Sequence, residues 1–283
     1  MIRKPVISGF FITLFGILFI SNGVIADTEI FDETYEVSSG STFEIRNRNG
    51  GVKIQGWNSN EIKIHAIKKT QWGGKLENVK IQVSTGDPFK IETIHLVNKP
   101  RVSVSYDIKI PVNVGVKTVK NSNGKIVLEN THGDTDVETS NGKIVIEDVV
   151  GNIIASTSNG AIEIEEVMGV VSAFTSNGAI DVEKVTGVVE LETSNGPIDA
   201  EVPDIGDNGL RVRTNNGSIE LDLASDLSAG IEAKTSNGDI EVNELELIVK
   251  EVSKERLRGK IGNGGKMISC KTSNGSITLS KLK

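Results

Sequence analysis

The dipeptide Asn-Gly recurs along this chain at a nearly fixed spacing. It appears every 18 residues from Asn123 to Asn195, usually inside a Thr-Ser-Asn-Gly-x-Ile/Val unit, and then at intervals of 21, 21 and 37 residues up to Asn274. A short period sustained over this length is typical of a solenoid, in which each repeat buries its apolar face only against its neighbours. The spacing therefore predicts the scaffold, and it leaves the chemistry to residues on the surface.

Each 18-residue unit is predicted to be two short strands separated by the Asn-Gly turn. In the unit from Val170 to Gly187, apolar and polar residues alternate on both sides of Asn177, which is the period of a half-buried strand. Superposing the units aligns two columns that we predict to be the core: Val137, Ala155, Ala173, Leu191, Val212, Ala233 and Cys270 before the turn, and Ile126, Ile144, Ile162, Ile180, Ile198, Ile219, Ile240 and Ile277 after it. Columns that run in one direction favour a β-helix, with a meander or a sandwich as the alternative.

The Asn-Gly pairs are predicted to be structural turns rather than ligands. Both residue types tolerate positive φ, which a tight turn between strands requires. The predicted turn residues are Asn123, Gly124, Asn141, Gly142, Asn159, Gly160, Asn177, Gly178, Asn195, Gly196, Asn216, Gly217, Asn237, Gly238, Asn274 and Gly275. A column of threonines precedes the turns, and we expect these hydroxyls to bond to neighbouring threonines and to turn backbone: Thr139, Thr157, Thr175, Thr193, Thr214, Thr235 and Thr272.

The first 26 residues are predicted to be a secretory signal peptide. Arg3 and Lys4 precede an apolar run from Val6 to Ile20, and Val24-Ile25-Ala26 supplies a small-residue cleavage pattern, so the mature chain is expected to begin at Asp27. An uncleaved N-terminal anchor is the alternative. We expect an exported protein that is periplasmic, at the cell surface or extracellular, with no transmembrane segment in the mature chain.

The mature chain is predicted to divide at about residue 117. Residues 27–117 are expected to form a β-rich N-terminal region and the first irregular rungs, because the sequence from Asn49 to Ile54 is a degenerate copy of the turn unit. Residues 118–283 are expected to form the regular repeats, with an insertion at about 244–266 that holds a helical turn or two, or a strand. The last copy, from Thr272 to Leu279, is expected to close the far end of the solenoid, and the N-terminal region to cap the other.

Charge is distributed unevenly along the chain. Residues 41–120 carry 14 basic and 6 acidic residues, residues 121–243 carry 6 and 23, and residues 244–283 carry 9 and 4. Outward positions after the turns are acidic, which predicts a carboxylate ladder on one sheet face: Glu163, Glu165, Asp181, Glu183, Asp199, Glu201, Glu220, Asp222, Asp239 and Glu241. Three roles are open for it: a solvated face that prevents aggregation, a calcium-bridged scaffold, or the contact surface for a cationic partner, including the protein's own basic cap.

Few residues fit a catalytic site. The three histidines, His65, His95 and His132, are not paired at metal-ligand spacing, and the single cysteine, Cys270, falls in a core column, where a buried thiol is inert. The sequence therefore predicts no enzyme and no cofactor apart from the calcium alternative. The acidic balance and the export signal also argue against nucleic acid as a partner.

A carbohydrate-active enzyme, either a polysaccharide lyase or a hydrolase, is the alternative function. It rests on Arg211 and Arg213, which the register places beside Glu190 and Glu192, because an acidic cluster with an arginine on an outer face of a β-helix can act on sugars. An arginine among carboxylates also forms simple ion pairs. Within the repeats Phe174 is the only aromatic residue, so the aromatic platform expected of a sugar site is missing there.

The run from Tyr106 to Val114, Tyr-Asp-Ile-Lys-Ile-Pro-Val-Asn-Val, followed by serial Ser/Thr-Asn-Gly-x-Ile units, resembles a bacterial family of β-strand-repeat proteins labelled "putative adhesins". The resemblance covers about Thr42 to Leu279. It implies an exported or membrane-attached β-helical domain of right-handed coil, with surface attachment, no defined ligand and no catalytic residues. We therefore expect an all-β, right-handed β-helix-like solenoid with an irregular β-rich cap. Its expected role is that of a non-enzymatic, adhesin-like surface or periplasmic interaction or structural module, whose partner is a component of the envelope or surface.

Overall fold

The computed structural model describes residues 26–283 of the chain. The apolar run of the predicted signal peptide lies outside the described residues. Within them the chain forms 23 strands and one short 3-10 helix, Leu76–Asn78. The strands are β1 Thr28–Glu36, β2 Thr42–Arg46, β3 Val52–Trp57, β4 Glu61–Thr70, β5 Val79–Thr85, β6 Phe89–His95, β7 Val102–Pro111, β8 Gly115–Lys120, β9 Ile126–His132, β10 Thr135–Asn141, β11 Ile144–Val150, β12 Ile153–Asn159, β13 Ile162–Asn177, β14 Ile180–Asn195, β15 Ile198–Val202, β16 Leu210–Arg213, β17 Ile219–Leu223, β18 Ala229–Lys234, β19 Ile240–Asn243, β20 Ile248–Val252, β21 Arg256–Ile261, β22 Lys266–Lys271 and β23 Ile277–Lys281.

Each rung is a strand, an Asn-Gly turn and a second strand, and the rungs stack in parallel. The strands before the turn form one ladder, the pre-turn ladder, in the order β6, β2, β8, β10, β12, the second halves of β13 and β14, β16, β22 and β18. The strands after it form the post-turn ladder: β7, β3, β9, β11, the first halves of β13 and β14, β15, β17, β23 and β19. Parallel neighbours cannot be joined by tight hairpins. The predicted all-β solenoid is therefore confirmed, and a meander is excluded.

The two predicted apolar columns form the core between the ladders. Every member of the pre-turn column is buried, and so are all members of the post-turn column except Ile240. Ile240 is only partly buried because β19 is the last strand of its ladder and has a strand neighbour on one side alone. Fully burying one aliphatic side chain stabilises a fold by about 1.5–3 kcal/mol, so the stacked columns supply the main driving force.

The order of the rungs in space differs from their order in the chain at both ends. The rung β2–β3 lies between β6–β7 and β8–β9. The last rung, β22–β23, lies between β16–β17 and β18–β19. The expectation that the last Asn-Gly copy closes the far end is therefore wrong. The chain can return because the segment between β19 and β22 is long and forms its own hairpin, β20–β21.

Antiparallel strands cover the ends of the solenoid. At the N-terminal end, β4 pairs with β7 and β1 pairs with β4, while β5 pairs with β6. At the other end β21 pairs with β18, so the segment 244–266 contains strands and not the helical turn that was considered for it. Pairing of this kind covers strand edges that would otherwise be open to other chains.

Candidate functional site

The turn asparagines form a continuous hydrogen-bonded ladder along the whole solenoid. Every Nδ2 except that of Asn49 donates to the Oδ1 of the asparagine in the preceding rung at 2.8–2.9 Å, in the spatial order Asn49, Asn123, Asn141, Asn159, Asn177, Asn195, Asn216, Asn274 and Asn237. Such amide ladders add to the stability of stacked parallel strands. Asn49, in the degenerate N-terminal copy, belongs to the same ladder.

The turn glycines are required by the close approach of neighbouring rungs. A Cβ on Gly160 would lie 2.0 Å from the carbonyl oxygen of Gly142, and one on Gly178 would lie 2.0 Å from that of Gly160. The expectation that both turn residues need positive φ holds only for Gly124, Gly178, Gly196 and Gly275, since neither the turn asparagines nor the other four turn glycines have a φ in the left-handed region. Residues in the left-handed conformation recur every 18 positions at a second bend in each rung: Asn130, Asp148, Glu166 and Lys184. These four residues are of four different types, so the sequence pattern does not predict this bend.

The threonine column is also used within the scaffold. Each Oγ1 donates to the carbonyl oxygen of a turn glycine in an adjacent rung at 2.8–3.5 Å, and every one of these threonines is buried. The predicted bonds to turn backbone are present, whereas no bond between two of these threonines occurs in the described residues. The repeated Thr-Ser-Asn-Gly motif therefore leaves neither its asparagine nor its threonine free for a ligand.

Eight of the predicted carboxylates form a compact array on the outer face of the post-turn ladder. They occupy four consecutive rungs, two to a rung: Glu163 and Glu165, Asp181 and Glu183, Asp199 and Glu201, and Glu220 and Asp222. Adjacent strands lie about 4.8 Å apart. We call these eight residues the acidic array. Glu129 and Glu147 extend one of its rows by two rungs toward the N-terminus. The sequence pattern marks Glu147 as an outward acidic position but does not single out Glu129, and each of these two rungs carries valine at its other outward position.

The last two residues of the predicted ladder lie apart from the array. The rung β22–β23 separates them from it, so that Glu241 lies beside Thr278 and not beside Glu220. Asp239 precedes the strand and forms an ion pair with Lys254 at 3.1 Å. The ladder was predicted on the assumption that chain order is spatial order, and the inserted rung breaks it at this point.

Cations contact the array only at the end nearer the N-terminus. Lys143 forms an ion pair with Glu163, and Lys184 lies 2.6 Å from Glu165. Among the described residues, no side-chain nitrogen of a lysine or arginine lies within 4.0 Å of Asp181, Glu183, Asp199, Glu201, Glu220 or Asp222, although the backbone N–H of Lys184 donates to Glu201 at 2.9 Å. These six carboxylates therefore form a stretch of uncompensated negative charge.

The pKa values of two central carboxyl groups respond to this crowding. Displacement of water by neighbouring side chains, and then the charges of Glu220, Asp181, Asp222 and Glu183, raise the pKa of Asp199 to about 6. Water displacement also raises the pKa of Asp181, and Glu163 and Glu165 raise it further while Lys143 lowers it. The array therefore carries a charge that changes in weakly acidic solution.

No group of three or more His, Cys, Asp or Glu side chains within residues 26–283 has a geometry that could hold a metal ion. The acidic array lies on a flat sheet, whereas calcium requires six to eight oxygen ligands around one point. Calcium bridging between rungs therefore stays a prediction. In the same part of the chain, no helix is long and apolar enough to cross a membrane.

The residues considered for catalysis are dispersed. Arg211 lies 3.5 Å from Glu190 in an exposed ion pair, and Arg213 pairs with Glu192 in register. Burial raises the pKa of the Cys270 thiol to about 12, so it stays protonated at neutral pH. His65 lies 2.5 Å from Asp32 at the N-terminal cap, far along the ladder from these arginines.

Comparison with known proteins places the chain in a family. The model of the family described as Toastrack DUF4097 matches residues 33–280. Among solved structures, the chain is similar to a "putative cell adhesion protein" from Clostridium sporogenes, with 14% identity and a TM-score of 0.27 over 90% of this chain and 99% of that one. It is also similar to a "putative adhesin" from Bacteroides fragilis, with 11% identity and a TM-score of 0.43 over 92% and 100% of the two chains. No protein of curated function matches the sequence.

Proposed function

The chain belongs to the Toastrack DUF4097 family, and from that premise we propose that it is an exported, non-enzymatic, adhesin-like interaction module of the cell envelope or surface. The observation that carries the proposal is that the repeated asparagines and threonines are engaged in bonds between rungs. The repeat builds a rigid rod, and recognition is left to the outward side chains, which differ from rung to rung.

The acidic array is the surface through which the module meets a cationic partner. Six of its carboxylates have no basic side chain within ion-pair distance in residues 26–283. Like charges 4.8 Å apart repel by about 0.9 kcal/mol per pair in water. A partner with lysine or arginine side chains, or another polycation, removes this repulsion on binding. Because every strand is fixed by its neighbours, the backbone positions that carry the carboxylates are held in place before binding, which lowers the entropic cost of association.

A binding measurement with a polycation tests the surface. We expect immobilised poly-lysine to retain residues 27–283 in low salt, and Asp181→Asn, Glu183→Gln, Asp199→Asn and Glu201→Gln together to weaken retention by roughly tenfold. The matched control removes four exposed charges outside the array by Glu77→Gln, Glu244→Gln, Glu246→Gln and Glu255→Gln. Equal loss in both variants would mean that net charge, and not the array, governs binding.

Calcium is tested in the same preparation. If calcium bridges the rungs, millimolar calcium should raise the melting temperature of the wild-type protein in low salt more than that of the array variant. Magnesium, which dehydrates more reluctantly, serves as the comparison ion. An unchanged melting temperature removes the calcium-bridged scaffold and leaves the cationic partner in place.

Export is tested by expressing the full chain in a bacterial host and determining the N-terminus of the product outside the cytoplasm. A mature chain that begins at Asp27 supports the proposal. A full-length product confined to the cytoplasm contradicts it.

A further inference from the structure

We propose that Arg213, Lys271 and Lys234 form a binding site for a linear polyanion whose carboxylate or phosphate groups repeat along its length. We call these three residues the cationic row. The row lies on the pre-turn ladder and takes a ligand of the opposite charge to that of the acidic array, so the proposal stands independently of the proposed function.

The cationic row exists only because the last rung is inserted. Arg213 on β16 pairs in register with Lys271 on β22, and Lys271 pairs with Lys234 on β18. The next strand outward, β21, places Arg256 beside Lys234. Residues far apart in the chain thus become four cations on four adjacent strands. At about 4.8 Å per strand, Arg213 and Lys234 are separated by about 10 Å along the solenoid.

The three members of the row lack the partners that other basic residues on the same ladder have. Among the described residues, no carboxylate lies within 4.0 Å of Arg213, Lys271 or Lys234, and all three side chains are exposed. By contrast, Lys120 contacts two carboxylates, and Glu232 accepts from both Arg256 and Arg258. The row is therefore a line of uncompensated positive charge, which an anion would neutralise.

A small cleft lies at one end of the row. It has a volume of about 120 Å³ and lies between Arg213 and Lys271, with Asn215 and Ser273 on its wall. A cleft of that size has room for one carboxylate or phosphate group. The side chains of Asn215 and Ser273 make no hydrogen bond to another described residue, so their donors are available to oxygen atoms in the cleft.

The neighbouring charges define the direction of the ligand. Glu192 bounds the cleft on the β14 side and repels an anion there, whereas Lys271 and Lys234 continue on the other side. An arginine guanidinium can hold one oxyanion with two parallel hydrogen bonds, while a lysine acts as a point charge. One anionic group fits between Arg213 and Lys271, and the following groups of the same polymer fit over Lys234. A single small anion reaches only part of the row.

The experiment compares two polymers that carry the same kind of charge on different backbones. Binding of residues 27–283 to polygalacturonate and to inorganic polyphosphate is measured at several salt concentrations, with neutral dextran and inorganic phosphate alongside. The test variant carries Arg213→Gln, Lys234→Gln and Lys271→Gln. The control variant loses the same three charges from the N-terminal cap, by Lys75→Gln, Lys80→Gln and Lys99→Gln. Melting curves establish that both variants are folded. We expect them to fold because all six substituted side chains are exposed.

We expect at least one polyanion to bind the wild-type protein, and the test variant to bind it roughly tenfold more weakly while the control variant does not. The slope of log Kd against log salt should decrease by about 2, and inorganic phosphate should bind more weakly than the polymer. Binding of polygalacturonate alone identifies the carboxylate source, and binding of polyphosphate alone the phosphate source. The proposal is overturned if neither polymer binds or if the control loses as much affinity. Sedimentation in low salt provides a further check. If the wild-type protein and the control variant self-associate while the test variant is a monomer, the row binds a second copy of the chain and the proposal is overturned.

Discussion

At the scale of single residues, the repeated positions are set by contacts between rungs more than by the conformation of their own turn. Asn177 donates to Asn159 and accepts from Asn195, both at 2.9 Å. Gly160 and Gly178 lie where the carbonyl of the previous rung leaves no room for a side chain. An isolated Asn-Gly pair predicts a hairpin turn from φ preferences alone. Stacking replaces that requirement with a steric one, and it makes each glycine indispensable in a way that can be measured.

Gly160→Ala should destabilise the protein by about 3 kcal/mol, because its Cβ would meet the carbonyl carbon and oxygen of Gly142 at 2.5 and 2.0 Å and backbone must shift. Gly86→Ala is the control, since nothing lies within 4 Å of the Cβ it would add, and its effect should stay within about 0.5 kcal/mol. Urea denaturation of both variants measures the difference. Similar free energies of unfolding for the two would contradict the steric explanation.

Asp199→Asn should stabilise the protein at pH 8 and lose about half of this effect at pH 5. The folded-state pKa of Asp199 is raised to about 6 from the ordinary value of 3.8 for aspartate, so the folded state binds the proton more tightly than the unfolded state. The free energy of unfolding therefore falls as pH rises from about 4 to 6 and Asp199 loses its proton. Above that range the ionised carboxylate destabilises the folded state to the full extent. Because the side chain is exposed, we discount the gain from Asn to about 1 kcal/mol.

Urea denaturation at the two pH values measures the effect, with Glu77→Gln as a control outside the array. A gain from Asp199→Asn that is the same at pH 5 and pH 8 would show that the carboxyl group does not titrate in this range.

At the scale of strands and rungs, the sequence predicts what lies within a rung but not the order of the rungs. The sequence predicted a β-rich region at residues 27–117 whose first rung starts at the degenerate copy from Asn49 to Ile54, where β3 lies, and the Asn-Gly spacing predicted the register of the later strands. The sequence did not predict the antiparallel pairing of β1 with β4. It could not place β22–β23, because every rung presents the same Ile, Thr and Asn columns and can pair in register with any other. The cationic row and the break in the predicted ladder both follow from that ambiguity.

An engineered disulfide tests the rung order directly. Arg211 and Ser269 are register partners on β16 and β22, and Ser269 is also the partner of Glu232 on β18. Arg211→Cys with Ser269→Cys should therefore form a disulfide under mild oxidation. Arg211→Cys with Glu232→Cys should not, because two strand spacings, about 9.6 Å, exceed the reach of the bond. Cys270 should not compete, since its thiol is buried. Non-reducing peptide mapping identifies the products, and the opposite result would restore chain order.

At the scale of the whole molecule, the uneven charge along the chain becomes a separation between faces. The acidic array lies on the outer face of the post-turn ladder. The basic C-terminal segment contributes Lys271 and Arg256 to the outer face of the pre-turn ladder. Within the acidic array and within the cationic row the charge repeats at the strand spacing, so repulsion accumulates there, whereas elsewhere on the pre-turn ladder ion pairs such as those of Glu232 with Arg256 and Arg258 cancel it. Such surfaces lower stability while they favour binding of the opposite charge.

The array variant proposed for the binding test should therefore be more stable than the wild-type protein in low salt. Each neighbouring carboxylate pair repels by about 0.9 kcal/mol at 4.8 Å in water. Neutralising Asp181, Glu183, Asp199 and Glu201 relieves several pairs that remain partly screened by counter-ions, so we expect a gain of about 1–2 kcal/mol at 10 mM salt. The gain should decrease at 500 mM salt, where the Debye length is shorter than the strand spacing. Urea denaturation at both salt concentrations measures it, and the four-residue control outside the array should gain less. Unchanged stability in low salt would mean that bound counter-ions already neutralise the array, and the proposed cationic partner would then gain little by contacting it.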